Sequence, residues 1–198
     1  DAEMEAVNAG YDSNREYLRD CFRYIDALHE TTALQREPGR KHYAKTQAEW
    51  RRLQRTHTSI REKAKRMDPL PPLEALTVRL GLDRTEWTML LFALRKKLEG
   101  EQPLLHELIH VGGGEDIFDR YAAHEYVRNA GKLFQHKLLK LLHDSPASEQ
   151  HVIIPDNPAH WLISDGRGPQ KLSELDHVYD AVPFETNSEF LEACCELA

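Results

Sequence analysis

Across residues 43–67 the chain places Tyr43, Thr46, Trp50, Leu53, His57, Ile60, Ala64 and Met67 at spacings that alternate between three and four. An unbroken a/d pattern of that length admits little besides a long helix whose seam is covered by a second helix. The partner lies just upstream. Ser13 reads as an N-cap with Glu16 three residues on, and Leu18, Cys21, Ile25, Leu28 and Thr32 repeat the same spacings. Pro38 and Gly39 break the chain between the two segments. The expectation is an antiparallel, coiled-coil-like helical hairpin over residues 1–68, with His57 held in the seam by a hydrogen-bond partner.

The run Asp68, Pro69, Leu70, Pro71, Pro72 is a stiff linker and the best internal boundary. Beyond it a short helix should end at Gly81. Asp83 should then cap a helix with Trp87, Leu90, Leu91 and Leu94 on one face and Gly100 as its terminator. Pro103 can open a third helix that stops at Gly112, Gly113 and Gly114. A fourth fits residues 115–131, with Ile117, Tyr121 and Val127 as buried candidates. Two strand-like runs follow, residues 132–142 and 151–155, then a short capped helix over 156–166. Helices followed by a two-stranded hairpin make the element order of a winged-helix domain. The fold class predicted is therefore mainly α: the hairpin, a winged-helix-like domain with a small β wing at 72–166, and an acidic tail or linker at 167–198.

Charge is distributed unevenly along the chain. Residues 36–66 hold eleven Lys or Arg against three acids, whereas seven acids and no Lys or Arg follow Lys171, within a net charge of -7. A basic stretch of this kind is ordinarily a solvated helix face. Three cysteines (Cys21, Cys194 and Cys195) make no disulfide framework and suit a reducing cytoplasm. Adjacent Cys194 and Cys195 lie among acids, which raise rather than lower a thiol pKa, so cysteine catalysis is not expected. No apolar run reaches the length of a membrane span, and the first residues lack the pattern of a signal peptide. Opening on Asp1 rather than Met suggests a trimmed fragment.

The segment from Pro71 through Glu101 resembles the N-terminal region of a group of bacterial AAA+ ATPases. There a proline-led helix, a Gly-Leu step (here Gly81 and Leu82) and a leucine-rich helix precede the ATPase module. Residues 132–142 and 151–166 are similar to that family's wing strand, return strand and closing helix. The resemblance spans about residues 71–166. It implies a non-catalytic, partner- or substrate-binding N-terminal module in the cytoplasm. The parent's ATP and Mg would be held by a module beyond Ala198, which would also bring any homo-oligomerisation. The chain contains no G-x-x-x-x-G-K-[ST], so no cofactor-binding residue is assigned on it.

One motif argues for a different chemistry. His106, Glu107 and His110 form H-E-x-x-H, which on a helix can place two imidazoles on one zinc with the glutamate as general base. The stretch His106–Val111 is similar to one in clostridial neurotoxin light chains. Asp116, after Gly113, completes a spacing that resembles short metzincin-like peptidases with an aspartate as third ligand. Glu115, His124 and Glu125 are other candidate ligands. The alternative function is thus a zinc endopeptidase with Glu107 catalytic and His106, His110 and Asp116 on the metal. Chance writes H-E-x-x-H into roughly one such sequence in twenty, however, and nothing before Gly100 reads as the strand that aligns a peptidase substrate. The preferred reading sets Leu105, Leu108 and Ile109 on the core and the two histidines at its margin. The helix over residues 115–131 carries four acids and two arginines, so sequence-specific DNA binding is not expected. Nonspecific nucleic-acid contact through the basic helix is a third reading.

Overall fold

The computed structural model describes residues 10–34, 43–115, 117–128, 131–142 and 150–164. Among them the chain is mainly helical with one small antiparallel sheet: α1 (Asn14–Leu34), α2 (Tyr43–Ala64), α3 (Pro72–Leu80), α4 (Arg84–Leu98), α5 (Leu105–Gly113), α6 (Ile117–Arg128), α7 (Lys132–Gln135), β1 (Lys140–Leu141), β2 (Val152–Ile153) and α8 (Asp156–Ile163). No helix among the described residues is long and apolar enough to cross a membrane.

The hairpin forms as its spacing requires. Ser13 Oγ accepts the Glu16 amide at 3.2 Å, while the Glu16 carboxylate reaches past the cap to the Asp12 amide at 3.0 Å. Leu18, Cys21, Ile25, Leu28 and Thr32 on α1, and Trp50, Leu53, Ile60 and Ala64 on α2, are all buried. The Lys63 ammonium sits 5.6 Å over the Tyr11 ring at one end, and Leu28 shares a recess with Trp50 toward the other, so the helices run antiparallel.

Helix α4 lies at the centre. Its N-terminus is a full capping box between Asp83 and Glu86, and Gly81 closes the preceding helix at φ 62°, a left-handed conformation that favours glycine. The expectation of one buried face is too narrow. Every residue from Glu86 to Leu94 is buried, because α1 covers one side and α5, α7 and β2 cover others. Removing such aliphatic and aromatic side chains from water stabilises by about 1.5–3 kcal/mol each, so this helix dominates the core.

The two-stranded sheet is shorter than predicted. Residues 132–135 are helical rather than extended. Glu86 captures the first amide of α7 at 2.8 Å, and that anchor sets a helical turn before the chain extends. The strands then pair antiparallel, Lys140 with Ile153 and Leu141 with Val152. A third segment joins them: Leu104 bridges His151, and the Val152 amide donates to the Pro103 carbonyl at 2.9 Å. Extended backbone therefore does stand directly before α5, although only as an isolated bridge. Tyr121 is a second correction. It is 77% exposed, and Phe118 beside it 79%, because α6 turns Ala123 inward instead. The side chain of Ile117 lies outside the described residues.

Helix α5 meets α6 through Gly113, where a Cβ would stand 2.4 Å from the Arg120 Cα. Backbone cannot yield that distance without parting the helices. Gly113→Ala should cost about 1–3 kcal/mol by overpacking, read as a lower urea midpoint at unchanged m-value. An unchanged midpoint would mean that the two helices do not approach so closely.

Candidate functional site

Helix α5 carries the H-E-x-x-H residues, and its packing explains them. Leu108 and Ile109 are buried, Leu105 packs partly against the core, His106 is exposed and His110 half-buried. Glu107 occupies the third position of the helix, where its carboxylate accepts the Leu104 amide at 2.9 Å. A carboxylate there satisfies an orphan donor and faces the positive end of the helix dipole. Glu107 thus caps its own helix through Oε2. His110 Nδ1 lies 2.6 Å from the His106 carbonyl. That bond requires an Nδ1–H and leaves Nε2 as an acceptor, the tautomer a metal ligand needs. The imidazole centroids are 6.3 Å apart and nearly perpendicular. Asp116, the third proposed ligand, lies outside the described residues. Among the described residues no three His, Cys, Asp or Glu side chains converge on a metal-sized site, Glu115, His124 and Glu125 included.

The densest chemistry lies where the hairpin meets the body. Glu74, in the first turn of α3, is 2% exposed. Its Oε1 accepts the Tyr17 hydroxyl at 2.7 Å and the Trp87 indole N–H at 3.2 Å. Its Oε2 lies 2.7 Å from Arg61 Nε, an ion pair in which the N–H points off the line, so charge rather than hydrogen-bond alignment holds it. The Arg61 guanidinium also stands over the Trp87 ring, 5.6 Å from its centroid. One carboxylate therefore joins α1, α2, α3 and α4. Burial, with the nearby thiol of Cys21 and carboxylate of Glu74, pushes the Tyr17 phenol well up, and burial does the same to the Cys21 thiol. Cys21 is consequently an inert core thiol.

His57 packs beside this group, edge-on to Trp87 at 5.0 Å and 5.7 Å from Tyr24. Its Nε2 is buried without the expected hydrogen-bond partner, in a site shared with the rings of Tyr24 and Trp87. Burial first, then the Arg84 and Arg61 guanidiniums, lower its pKa from 6.5 to about 4. The folded state therefore holds His57 neutral.

Two recesses flank the hairpin. One, of about 310 Å³, lies between hairpin and body and is lined by Tyr24, Trp50, Arg84, Thr88, Gly113 and Asp119 among others. The Trp50 indole N–H stands beside it without a hydrogen-bond partner but sealed from solvent, and the buried Tyr24 hydroxyl faces Arg84 and Thr88. The other, of about 430 Å³, runs along the hairpin itself. Its floor includes Tyr24, Leu53 and Ile60, and its walls carry Arg23, Arg52, Arg55 and Lys63 with a single acid, Asp20. No protein-family model, curated protein or solved structure matches the chain.

Sequence reasoning set His57, Trp50 and Leu53 on the seam and missed Glu74, Arg61 and Tyr17 as a unit. The available signal was a carboxylate embedded in an apolar run, Leu73-Glu74-Ala75-Leu76, with Arg61 beside the seam residue Ile60.

Glu74→Ala leaves Arg61 without its partner and two buried donors without an acceptor, and should cost about 3–5 kcal/mol by urea unfolding. Glu74→Gln keeps one acceptor and should cost less; equal losses would refute the hydrogen-bonded role. His57 supplies a pH test. Its folded pKa lies below the unfolded value, so the unfolded chain binds the extra proton between about pH 6.5 and 4, and stability falls with pH across that window. His57→Phe should flatten that loss by about 1–2 kcal/mol after discounting for partial exposure. Parallel stability-pH curves for the two proteins would contradict a neutral His57.

Proposed function

We propose that the chain is a non-catalytic module that binds protein partners or substrates, built as a winged-helix-like domain with a helical hairpin packed on it, and that it serves an AAA+ ATPase as its N-terminal region. The element order supports the winged-helix reading: α4, the bridged segment at Leu104, α5, α6, the short turn α7, then β1 and β2. In that reading α6 is the third helix, the one that would enter a DNA groove.

The outer face of α6 carries the argument. Phe118 and Tyr121 are three residues apart and open to solvent, with Asp119 and Glu125 exposed on the same helix. Acids repel phosphates, whereas exposed aromatics rimmed by charge are the chemistry of a protein interface. ATP and Mg belong, on this reading, to the ATPase module and touch no residue of this chain. The zinc alternative finds less support, since Glu107 is engaged as a cap.

The coding sequence after Ala198 tests the proposal, together with assays on its full product. A G-x-x-x-x-G-K-[ST] loop should follow. Changing its lysine should abolish ATP hydrolysis, and Phe118→Ser with Tyr121→Ser should leave basal hydrolysis intact. A coding sequence without that loop contradicts the proposal. So does one zinc per chain with peptidase activity abolished by Glu107→Gln.

A further inference from the structure

The hairpin groove is lined only by α1, α2 and Tyr11 just ahead of them. It pairs an apolar floor with four cations and one acid, and that acid is already occupied: Asp20 accepts the Tyr11 hydroxyl at 3.2 Å and pairs with Arg23 at 3.3 Å. Arg23 and Arg52 remain mostly exposed beyond their local ion pairs, so the rim stays electropositive toward an incoming ligand. A ligand that fits has an apolar stripe and an adjoining acidic stripe.

The chain contains such a segment. Read at helical spacing, residues 188–198 align Phe190, Cys194 and Leu197 on one stripe and Glu189, Glu192 and Glu196 on the next. Beyond Lys171 the sequence carries seven acids and no Lys or Arg. The position of the chain at Ser164 favours the same pairing. Asn14, three residues from Tyr11, donates to the Leu162 carbonyl at 3.0 Å and the Ser164 carbonyl at 2.7 Å. Residue 164 is therefore held at the N-terminus of α1, beside the Tyr11 end of the groove.

We propose that this groove is the docking site of the chain's own acidic segment, residues 188–198, with Phe190, Cys194 and Leu197 on the apolar floor and the three glutamates against Arg23, Arg52, Arg55 and Lys63. The reach suffices. Between Ser164 and residue 188 lie 23 residues, enough chain for at most about 75 Å, and the groove runs about 17 Å along α2 from Arg52 to Lys63. Charge supplies selectivity and the apolar stripe supplies register, so the docked state weakens as salt screens the rim. The inference stands apart from the proposed role in an ATPase, because it concerns only residues of this chain.

The native cysteines provide the test in the full chain. Cys21 is wholly buried, so in Cys194→Ala, which keeps that position apolar, a thiol-reactive spin label attaches at Cys195, which falls on neither stripe. In an isotope-labelled sample the label should erase amide signals along the groove, around Arg23, Leu53 and Ile60, and spare Phe118 and Tyr121. The signals should return at about 1 M salt, where the screening length is about 3 Å. They should also return in Arg52→Glu with Arg55→Glu, but not in the charge-matched control Arg51→Glu with Lys65→Glu, whose residues do not line the groove. Signal loss confined to α6, or none, overturns the proposal. Loss seen only between a spin-labelled chain and a separate isotope-labelled chain assigns the groove to a second copy and overturns it equally. Groove signals that ignore the label but shift with an added oligonucleotide assign the rim to nucleic acid, with the same consequence.

Discussion

A single buried carboxylate organises the molecule. Glu74 receives Tyr17 from α1, Arg61 from α2 and Trp87 from α4 while itself belonging to α3. A charge that deep is costly unless paired and hydrogen-bonded, and here both conditions hold. Its worth lies in specificity more than in raw stability, since three apolar residues of similar volume could fill the space as favourably. Only one register of the hairpin on the body satisfies all three partners. A slide by one helical residue would leave a buried carboxylate facing hydrocarbon.

That constraint shapes the surfaces on either side. The hairpin is held so that one flank forms the cleft at Trp50 and Gly114, while the other leaves the basic groove open. Gly112 and Gly113 let α5 pack against Met89 and Arg120 at distances a side chain would disturb, and Gly114 turns the chain beside Trp50 at φ 66°. Tyr126, whose phenol is pushed up to about 12 chiefly by its bond to Asp83, ties α6 back to the cap of α4. Glu86 plays the matching part for α7, accepting the Lys132 amide from within the core. Both buried carboxylates thus act as joints between elements. Neither is placed as a reactive group.

Much of this was legible in the sequence wherever local rules and packing agree. Spacings of three and four placed the seams of α1 and α2, Asp83 announced the cap of α4, and Gly81 marked the end of α3. The failures share one cause, because in each a tertiary partner overrode the local pattern. Residues 132–135 turn helical because Glu86 holds their first amide. Tyr121 faces solvent because the close approach at Gly113 leaves room only for the small Ala123 inside. His57 lost its expected hydrogen bond to the rings of Tyr24 and Trp87. The H-E-x-x-H residues follow a local rule as well: Glu107 caps its own helix by accepting the Leu104 amide. Of the Glu74 network the sequence carries only the carboxylate set in an apolar run; its partners lie far apart in sequence, and periodicity reports faces rather than partners.

The central claim is that the Glu74 carboxylate makes hairpin and body one cooperative unit. Native-state hydrogen exchange measures this most directly. The slowest amides of α2 between Leu53 and Arg61 and of α4 between Trp87 and Leu94 should exchange through the same global opening, with the same free energy and denaturant dependence. Exchange of α2 through a separate, lower-energy opening that leaves α4 protected would contradict the account.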